Sequence, residues 1–546
     1  MALAWGAALA VACATYTDKN ELMRHELDNA RLEDAVDAAN DSLKVRKADQ
    51  LPKKWKKNTG LAVLERATIF HALGWYELAA RDFSKAEEQL ELMDISIDAG
   101  GNIARWVYSE SASKYRTPPS ERLALNAINL ENYLMRGDLD GAKIEAKRFT
   151  VMRNYLLDHD PEHAYGEFGS YMAGFVFERL GAADEALRYY DEALQARDFA
   201  SLREPIARLK KKGSYSSPRI DAYAKGSPAP PPKSTPSPAD DAEDDANDDA
   251  ESKDDANDDA ESKDDAVEDK SEAAEGEGAS KDEADDSPAA ESKTEASAST
   301  DSKDDSDDAS KTESSESAEG SGAVPAAAPL TESSEGGEIL VVIKLGRVPH
   351  KEPVRIPIGA AIGIGAAYIT GDTTILEQGM LKFIVFPELV PSTDLYDGAR
   401  VFVDGRELGV ELASNMGSQV VREFEELKPR IIGSALTRMI TRAVASGGIQ
   451  AAGNSAAKGS ENGGTIAALA FLGALAVEGT MVALDKPDTR SWTTLPARVY
   501  ISRARIPAGK HSVVIQTVGS TAVTKKTVDL DMKEGGFAAI DFTTLR

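Results

Sequence analysis

A short stretch near residue 490 combines the residue types most often used for protein recognition. Asp485, Asp488, Arg490 and Trp492 lie close together in the sequence. Arg and Trp are enriched at interface hot spots, so Asp488, Arg490 and Trp492 are a candidate recognition loop. The alternative is structural: Trp492 fills the C-terminal core and Arg490 pairs with an aspartate to fix the loop. The structural alternative is favoured, because a large aromatic side chain is usually buried for packing.

The sequence offers no arrangement typical of catalysis or cofactor binding. It contains no P-loop and no Gly-x-Ser-x-Gly motif with a supported triad. His159 and His163 are the best metal-ligand candidates, but Pro161 interrupts the helix that would bring them together, which favours a solvated connection. His71, on an apolar helix, is predicted to be a satisfied core residue. We therefore predict a protein that is not an enzyme and has no metal site and no cofactor.

The single cysteine, Cys13, follows an apolar run that begins at Met1. One cysteine excludes a disulfide framework and a cysteine-ligated zinc site. Residues 10–13 (Ala-Val-Ala-Cys) resemble a bacterial lipobox, in which the cysteine is lipidated and becomes the new N-terminus. The alternative is an apolar N-terminus with an incidental cysteine. Ala14 follows Cys13 where an aspartate would favour inner-membrane retention, so the resemblance implies an outer-membrane lipoprotein that faces the periplasm.

Small and aromatic residues recur at shared offsets in three places before residue 200. This pattern is typical of the second helix of a tetratricopeptide (TPR) unit, where small residues allow close helix packing and an aromatic side chain fills the gap. Each glycine can also end the preceding helix. The three copies are Gly74, Tyr76, Ala79, Phe83 and Ala86; Gly137, Leu139, Ala142, Ala146 and Phe149; and Gly181, Ala183, Ala186, Tyr190 and Ala193.

The spacing of these copies is irregular, because a regular TPR array repeats about every 34 residues. The alternative is a generic helical bundle with small residues at its crossings. Shared offsets favour the TPR-like array, which we predict over residues 14–212, after a signal and lipobox segment at 1–13. Arrays of this kind build binding surfaces, and the surface here is predicted to be a groove for a protein or peptide.

The middle of the chain has the composition of a disordered linker. Between Asp240 and Gly320, 34 acidic residues and 7 lysines give a net charge of −27, which leaves only −2 of the total −29 for the rest. With so little apolar surface, residues 213–336 cannot offset the entropic cost of folding, and they are predicted to be a disordered Pro-rich and acidic tether. The remainder has no strongly basic domain, which argues against nucleic-acid binding.

Residues 337–546 are predicted to form an α+β domain with mainly antiparallel strands. Strand-forming runs occur at 339–343, 354–358 and 381–386, and another pair flanks the Asp404-Gly405 turn. Helical periodicity replaces them over 419–445, and alternation returns over 497–542. The apolar run 466–477 is too short to span a bilayer and is predicted to be a buried helix. The fold class is therefore a TPR-like all-α array, a linker and an α+β domain.

Three segments carry a resemblance to a family. These are residues 57–83 (KNTGLAVLERATIFHALGWYELAARDF), 125–148 (LNAINLENYLMRGDLDGAKIEAKR) and 485–499 (DKPDTRSWTTLPARV). Together they resemble uncharacterised bacterial envelope lipoproteins that pair TPR-like N-terminal helices with a C-terminal β-containing domain. The resemblance implies an architecture and a location in the cell envelope, without an activity.

These observations favour a lipid-anchored scaffold or adaptor that binds proteins or peptides of the cell envelope through a TPR-like groove. Its membrane contact would be the N-terminal lipid, and nucleic acid is not an expected partner. One alternative is a regulator of peptidoglycan synthesis or outer-membrane assembly, which rests on analogy of fold and place. A further alternative is a hydrolase in the C-terminal domain, for which the sequence supplies no nucleophile with a base. The partner, the oligomeric state and the role of the linker are not determined by the sequence.

Overall fold

The computed structural model describes residues 15–90, 115, 117–226, 336–368, 383–457, 487–519 and 523–546, with the backbone alone for 366 and 439–457. All of these residues belong to one compact unit that joins residues 1–235 with 328–546. Cys13, most of the predicted linker and the apolar run 466–477 lie outside the described residues. The two predicted structural domains therefore pack as one unit, and the described parts are not held apart by a tether.

The first half is a succession of helical hairpins with the character of a TPR array. Helices α4 and α5, α6 and α7, and α8 and α9 form three consecutive pairs, and α10 and α11 close the array. The last helix extends the helical part beyond the predicted boundary at 212, because Ile220 and Tyr223 are buried. The helices are α1 Tyr16–Lys19, α2 Glu21–Asp28, α3 Leu32–Leu43, α4 Thr59–Ala72, α5 Tyr76–Leu90, α6 Pro119–Met135, α7 Leu139–His159, α8 Glu167–Arg179, α9 Ala183–Ala196, α10 Arg203–Leu209 and α11 Pro218–Ala224.

The three motif glycines end the first helix of each pair in the same way. Gly74, Gly137 and Gly181 have φ angles of +77°, +71° and +76°. In each turn the glycine N–H and the next N–H donate to carbonyls of the preceding helix, as in Gly137 to Leu134 and Asp138 to Tyr133. This is the Schellman arrangement, which glycine accepts without steric cost.

The glycines at the close helix crossings are not the glycines of the repeat motif that the sequence predicted there. A Cβ atom would meet nothing within 4 Å at Gly137 or Gly181, so these two residues serve the turn and not the helix crossing. A Cβ at Gly141 would lie 2.3 Å from the Tyr133 ring, and at Gly174 it would lie 2.4 Å from the Tyr190 ring. The helix crossings therefore require glycine inside the helices, where an aromatic ring of the neighbouring helix fills the space.

The C-terminal half is rich in mostly antiparallel strands. One four-stranded sheet has the order β10-β1-β7-β6, a second has the order β5-β4-β8-β9, and β2 pairs with β3 in a separate hairpin. The β1–β10 pair is parallel and the other described strand pairs are antiparallel, in agreement with the predicted mainly antiparallel strands. The strands are β1 Gly336–Arg347, β2 His350–Pro357, β3 Phe383–Val390, β4 Gly398–Val403, β5 Arg406–Leu408, β6 Glu411–Asn415, β7 Pro496–Pro507, β8 Gly509–Val518, β9 Lys525–Met532 and β10 Phe537–Thr544.

Strand β1 is buried along its whole length because both of its faces are covered. Leu340 and Val342 belong to the core that includes the helical array, and Ile339 and Val341 belong to the core between the two sheets. Successive side chains of a strand point to opposite faces, so this alternation places β1 between the array and the second sheet. The predicted strand therefore forms the centre of the contact between the two halves.

Two further helices pack with the β2–β3 hairpin. They are α12 (Ile358–Gly365) and the long α13 (Met416–Ala457). A small third core contains Ile358, Phe386, Ile432 and Leu436. The helix α13 continues to Ala457, beyond the end of the helical periodicity at 445. Among the described helices, none is long and apolar enough to cross a bilayer.

Candidate functional site: a self-bound segment on the helical array

The predicted recognition loop lies in the helical array of its own chain. We call residues 488–495 the Trp492 segment. Trp492 is fully buried, and its ring meets the Phe83 ring edge-to-face at a centroid distance of 6.0 Å. Its indole N–H donates to the Thr68 hydroxyl at 2.9 Å. Trp492 therefore lies in the core that the array shares with the first sheet, whereas the sequence predicted a core of the C-terminal domain alone, and Phe83 of the first repeat provides part of its pocket.

The array binds the backbone of this segment through two buried carboxylates. The Trp492 N–H donates to Glu121 at 2.9 Å. The N–H groups of Thr493 and Thr494 donate to the two oxygens of Glu65 at 2.9 and 2.8 Å. Glu65 and Glu121 therefore hold three consecutive amides of a chain that turns at Thr493 and Thr494. The Leu495 N–H closes this turn by donating to the Trp492 carbonyl oxygen at 3.2 Å.

Burial changes the ionisation of these two carboxyl groups. It raises the pKa of Glu65, while hydrogen bonds from Thr494 and Thr493 oppose the shift. Burial likewise raises the pKa of Glu121 to about 7, although the Trp492 N–H and the Tyr115 hydroxyl favour its ionised form. Removing a charge from water is costly, and the three backbone amides offset that cost only in part.

Arg490 fixes the start of the segment. Its guanidinium forms two hydrogen bonds to Asp488. Nε donates to Oδ1 at 2.8 Å, and Nη2 donates to Oδ2 at 2.6 Å. The guanidinium also lies 5.7 Å from the centre of the Tyr115 ring. Asp488 and Arg490 therefore pair and fix the loop, as the structural alternative predicted. The loop is fixed on the array.

The start of the described chain meets the same segment. The Thr17 hydroxyl lies 2.6 Å from the Lys351 carbonyl oxygen, to which it donates, and 3.2 Å from the Thr489 carbonyl oxygen. Thr17 and Asn20 are buried, although they lie close to the N-terminus. Helix α1 is therefore attached, through Thr17, to the Trp492 segment and to the β2–β3 hairpin.

A buried ion cluster joins the array to the first sheet. The Lys344 ammonium on β1 lies 2.6 Å from Glu131 on α6 and 2.5 Å from Asp541 on β10. His71 Nε2 lies 3.4 Å from the same Asp541 oxygen. Burial raises the pKa of Glu131 to about 7 against the effect of Lys344. Burial acts to raise that of Asp541 too, but Lys344 and His71 hold the pKa of Asp541 well below its usual range.

This cluster also bears on metal binding. Within the described residues, His71, Glu131 and Asp541 are the group whose ligand atoms lie close enough to hold a metal ion. The Lys344 ammonium already lies between the two carboxylates, where it takes the place of a bound cation. His159 and His163 do not converge: His159 stacks on Tyr155, and His163 contacts Asp160 at 2.7 Å. His71 is thus a core residue with charged neighbours.

The remaining motif residues lie within the array. Ala79, Ala86, Ala142 and Ala186 are fully buried, and Tyr76 lies with its ring 5.6 Å from His71. Tyr190 reaches the C-terminal half as well. Its hydroxyl donates to Glu178 at 2.6 Å and accepts from Arg503 of β7 at 2.8 Å. The aromatic positions of the first and third repeats therefore contact the strand-rich half directly.

Glu65, Glu121, Glu131 and Lys344 were not among the residues predicted from the sequence. The pattern that could have found them is a charged residue inside an apolar run, as in Leu-Glu-Arg-Ala at 64–67 and Ile-Lys-Leu at 343–345. A charge at a core-facing position is rarely left without a partner, so such a residue predicts an opposite charge or a hydrogen-bond donor across the interface. Which partner it has depends on the tertiary structure.

Comparisons with known proteins found similarity among solved structures only. No protein-family model matches the chain, and no curated protein matches it. Among solved structures, the chain is similar to two MamA crystal structures, at 13% and 15% identity over 38% and 39% of this chain and 84% and 92% of theirs, each with a TM-score of 0.24. It is also similar to the Rap conjugation gene regulator of the plasmid pLS20 in complex with the Phr* peptide, at 13% identity over 39% of this chain and 50% of that chain, with a TM-score of 0.24.

Proposed function

We propose that this protein is a binding scaffold, and not an enzyme, whose TPR-like array holds protein segments by their backbone amides and by one aromatic side chain. One such segment belongs to its own C-terminal half. The observation that carries the proposal is the capture of three consecutive backbone amides by Glu65 and Glu121, with Trp492 buried beside them. Backbone contacts give affinity for a chain that can adopt this turn, and the indole pocket gives selectivity for a segment with a tryptophan at the matching place.

The groove is therefore filled in cis, which changes how a partner would bind. A partner segment has to compete with the Trp492 segment, which is present at high effective concentration because it is part of the same chain. The array would then bind two kinds of partner segment: those that resemble the Trp492 segment closely and those that displace it from the array. The array would act both as a clamp for the strand-rich half and as a receptor.

A peptide experiment tests the proposal on the full chain. The substitutions Trp492→Ala, Thr493→Pro and Thr494→Pro together remove the indole and two amide donors from the bound segment. We expect this variant to bind a labelled peptide of residues 487–496, measured by fluorescence anisotropy, and the unchanged chain to bind it much more weakly. Circular dichroism shows whether the variant is folded.

The control is the same peptide with alanine in place of the tryptophan. It lacks the side chain that fills the Phe83 pocket, so its binding should be weaker by tenfold or more, roughly the effect of losing a buried aromatic anchor. A folded variant that ignores both peptides, or binds them equally, would contradict the proposal.

We further propose that the scaffold belongs to the bacterial cell envelope and is attached through a lipid on Cys13. This rests on the lipobox-like residues 10–13 and on the resemblance to envelope lipoproteins. Several acyl chains give firm attachment, since each buried CH₂ contributes about 0.8 kcal/mol. The scaffold would then face the periplasm from the outer membrane and bind proteins or peptides of the envelope.

Membrane fractionation tests the anchor separately. The Cys13→Ser variant should move from the membrane fraction to the soluble periplasmic fraction, while its fold remains that of the unchanged chain. An unchanged distribution between the two fractions would refute the lipid anchor and leave the peptide-binding proposal intact.

A further inference from the structure

A cleft of about 320 Å³ lies between the end of α8, the start of α9, α10 and the first sheet. It is separate from the Trp492 segment, whose residues do not line it. Four basic residues line the cleft: Arg179, Arg208, Lys212 and Arg505. The chain outside the acidic middle carries a net charge of only −2, so these four cations are a local concentration of positive charge.

The charge in the cleft is only partly compensated. The two carboxylates that line it, Glu178 and Glu338, are held by Arg503 at 2.7 and 2.6 Å. Arg179 binds the same two carboxylates, at 2.6 and 2.7 Å. Arg208 shares them and also pairs with Glu204 at the solvent side. Among the described residues that line the cleft or form ion pairs with its lining, five cations face three carboxylates, an excess of two positive charges.

Two of these cations are not used by the fold. Among the described residues, Lys212 and Arg505 have no carboxylate partner, and Arg505 makes only a 3.4 Å contact to the Gly336 carbonyl oxygen. Lys212 is exposed. Both side chains are therefore available to a ligand in the cleft without breaking an ion pair.

Glycine and alanine residues form the rest of the polar lining of the cleft. Gly336, Gly337, Gly535 and Gly536 line one side, and a Cβ atom at Gly535 would meet nothing within 4 Å. Gly181 and Ala183 line the other side, at the N-terminus of the 14-residue helix α9, which has no side-chain cap. A helix N-terminus carries partial positive charge and unpaired N–H groups, although Asp184 and Glu185 in the first turn of α9 offset part of this field.

We propose that this cleft binds a small ligand that carries a phosphate group. A phosphate dianion matches the excess of two positive charges, and guanidinium groups form paired hydrogen bonds to its oxygens. The volume lies at the lower end of small-molecule sites, which limits the ligand to a compact molecule. The site would give the scaffold a small-molecule input that is independent of peptide binding.

The test uses the full chain with inorganic pyrophosphate as the probe, in isothermal titration calorimetry at low ionic strength. We expect saturable binding at one site. Arg505→Ala and Lys212→Ala should each weaken it about tenfold, because each removes one charged hydrogen-bond donor. Neither residue holds another part of the fold, so both variants should unfold at the same temperature as the unchanged chain.

Lys211→Ala is the matched control, since Lys211 is adjacent and exposed but does not line the cleft. Its affinity for pyrophosphate should equal that of the unchanged chain. Absence of saturable binding overturns the proposal. Equal weakening by Lys211→Ala and Lys212→Ala also overturns it, because it would show general attraction of an anion to surface lysines. The peptide experiment is unaffected by either result.

Discussion

Glu121 shows how a single residue connects the bound segment to pH. It is buried, and it accepts hydrogen bonds from the Trp492 N–H and the Tyr115 hydroxyl. Its pKa is about 7 in the folded chain, above the ordinary value of 4.5. Between these values the folded chain binds more protons than the unfolded chain, so the free energy of unfolding falls as pH rises through this range. Glu131, Glu145 and Glu423 have pKa values near 7 and act in the same direction.

We predict that Glu121→Gln reduces this dependence. The amide oxygen can still accept from Trp492, and no charge remains to be desolvated. Above pH 7 the variant should be more stable than the unchanged chain by about 1–3 kcal/mol, at about 1.4 kcal/mol per pKa unit, with the difference vanishing below pH 4.5. Urea unfolding at a series of pH values measures it.

Glu185→Gln is the control for this prediction, because Glu185 is exposed and makes no contact with the segment. Its stability should follow that of the unchanged chain at every pH. If Glu121→Gln lowers stability equally at pH 5 and pH 8, the charge on Glu121 is not the source of the pH dependence.

For individual residues, the sequence predicted the kind of contact that a side chain makes better than it predicted the partner of that contact. The pairing of Arg490 with an aspartate follows from their spacing of two residues and can be read locally. The pocket of Trp492 cannot, because Thr68 and Phe83 lie more than 400 positions earlier in the chain. Long-range partners are set by packing, which a local pattern does not contain.

At the scale of elements, the helix hairpins follow from a backbone requirement. Gly137 adopts φ of +71°, a conformation that costs an L-residue with a Cβ roughly 1–2 kcal/mol. Nothing else occupies the space around it. We predict that Gly137→Ala lowers the free energy of unfolding by about 1–2 kcal/mol and that Gly137→Asn lowers it less, since Asn tolerates this region.

Chemical denaturation of both variants measures this effect. Gly409→Ala is the control, because Gly409 has open space around it and no positive φ, so the substitution should be neutral or slightly stabilising. Equal stability of Gly137→Ala and Gly409→Ala would show that the turn does not depend on the glycine conformation.

The same reasoning explains which elements were predictable. The Asp404-Gly405 turn has φ of +51° and +80°, as a two-residue hairpin of mirror-image type requires, and β4 and β5 flank it. The parallel pairing of β1 with β10 was not predictable, since the two strands are almost 200 residues apart. Alternation identifies a strand but does not specify its neighbour.

At the scale of the whole molecule, the Lys344 cluster links the two halves. Removing the ammonium with Lys344→Met leaves Glu131 and Asp541 buried without a charged partner from the sheet. We predict a loss of about 3–5 kcal/mol at pH 7, the usual effect of breaking a buried ion pair from one side. Lowering the pH should restore part of the loss, because protonation removes the uncompensated charge.

The triple variant Lys344→Met/Glu131→Gln/Asp541→Asn tests the same cluster from the other side. Without any of the three charges, it should recover most of the stability that Lys344→Met loses, measured by thermal and urea unfolding. A triple variant that is less stable than Lys344→Met would show that packing around the cluster, and not the unpaired charge, sets the cost.

The local features of this protein follow from short-range patterns of residues. Glycine conformation set the helix turns, alternation set the strands, and small residues with apolar periodicity set the helical array. Each of these depends on neighbours within a few residues. Only the tertiary structure decided that the array encloses the Trp492 segment and that the two halves form one unit. That outcome depends on contacts between residues hundreds of positions apart, where buried carboxylates find backbone amides and a buried ammonium.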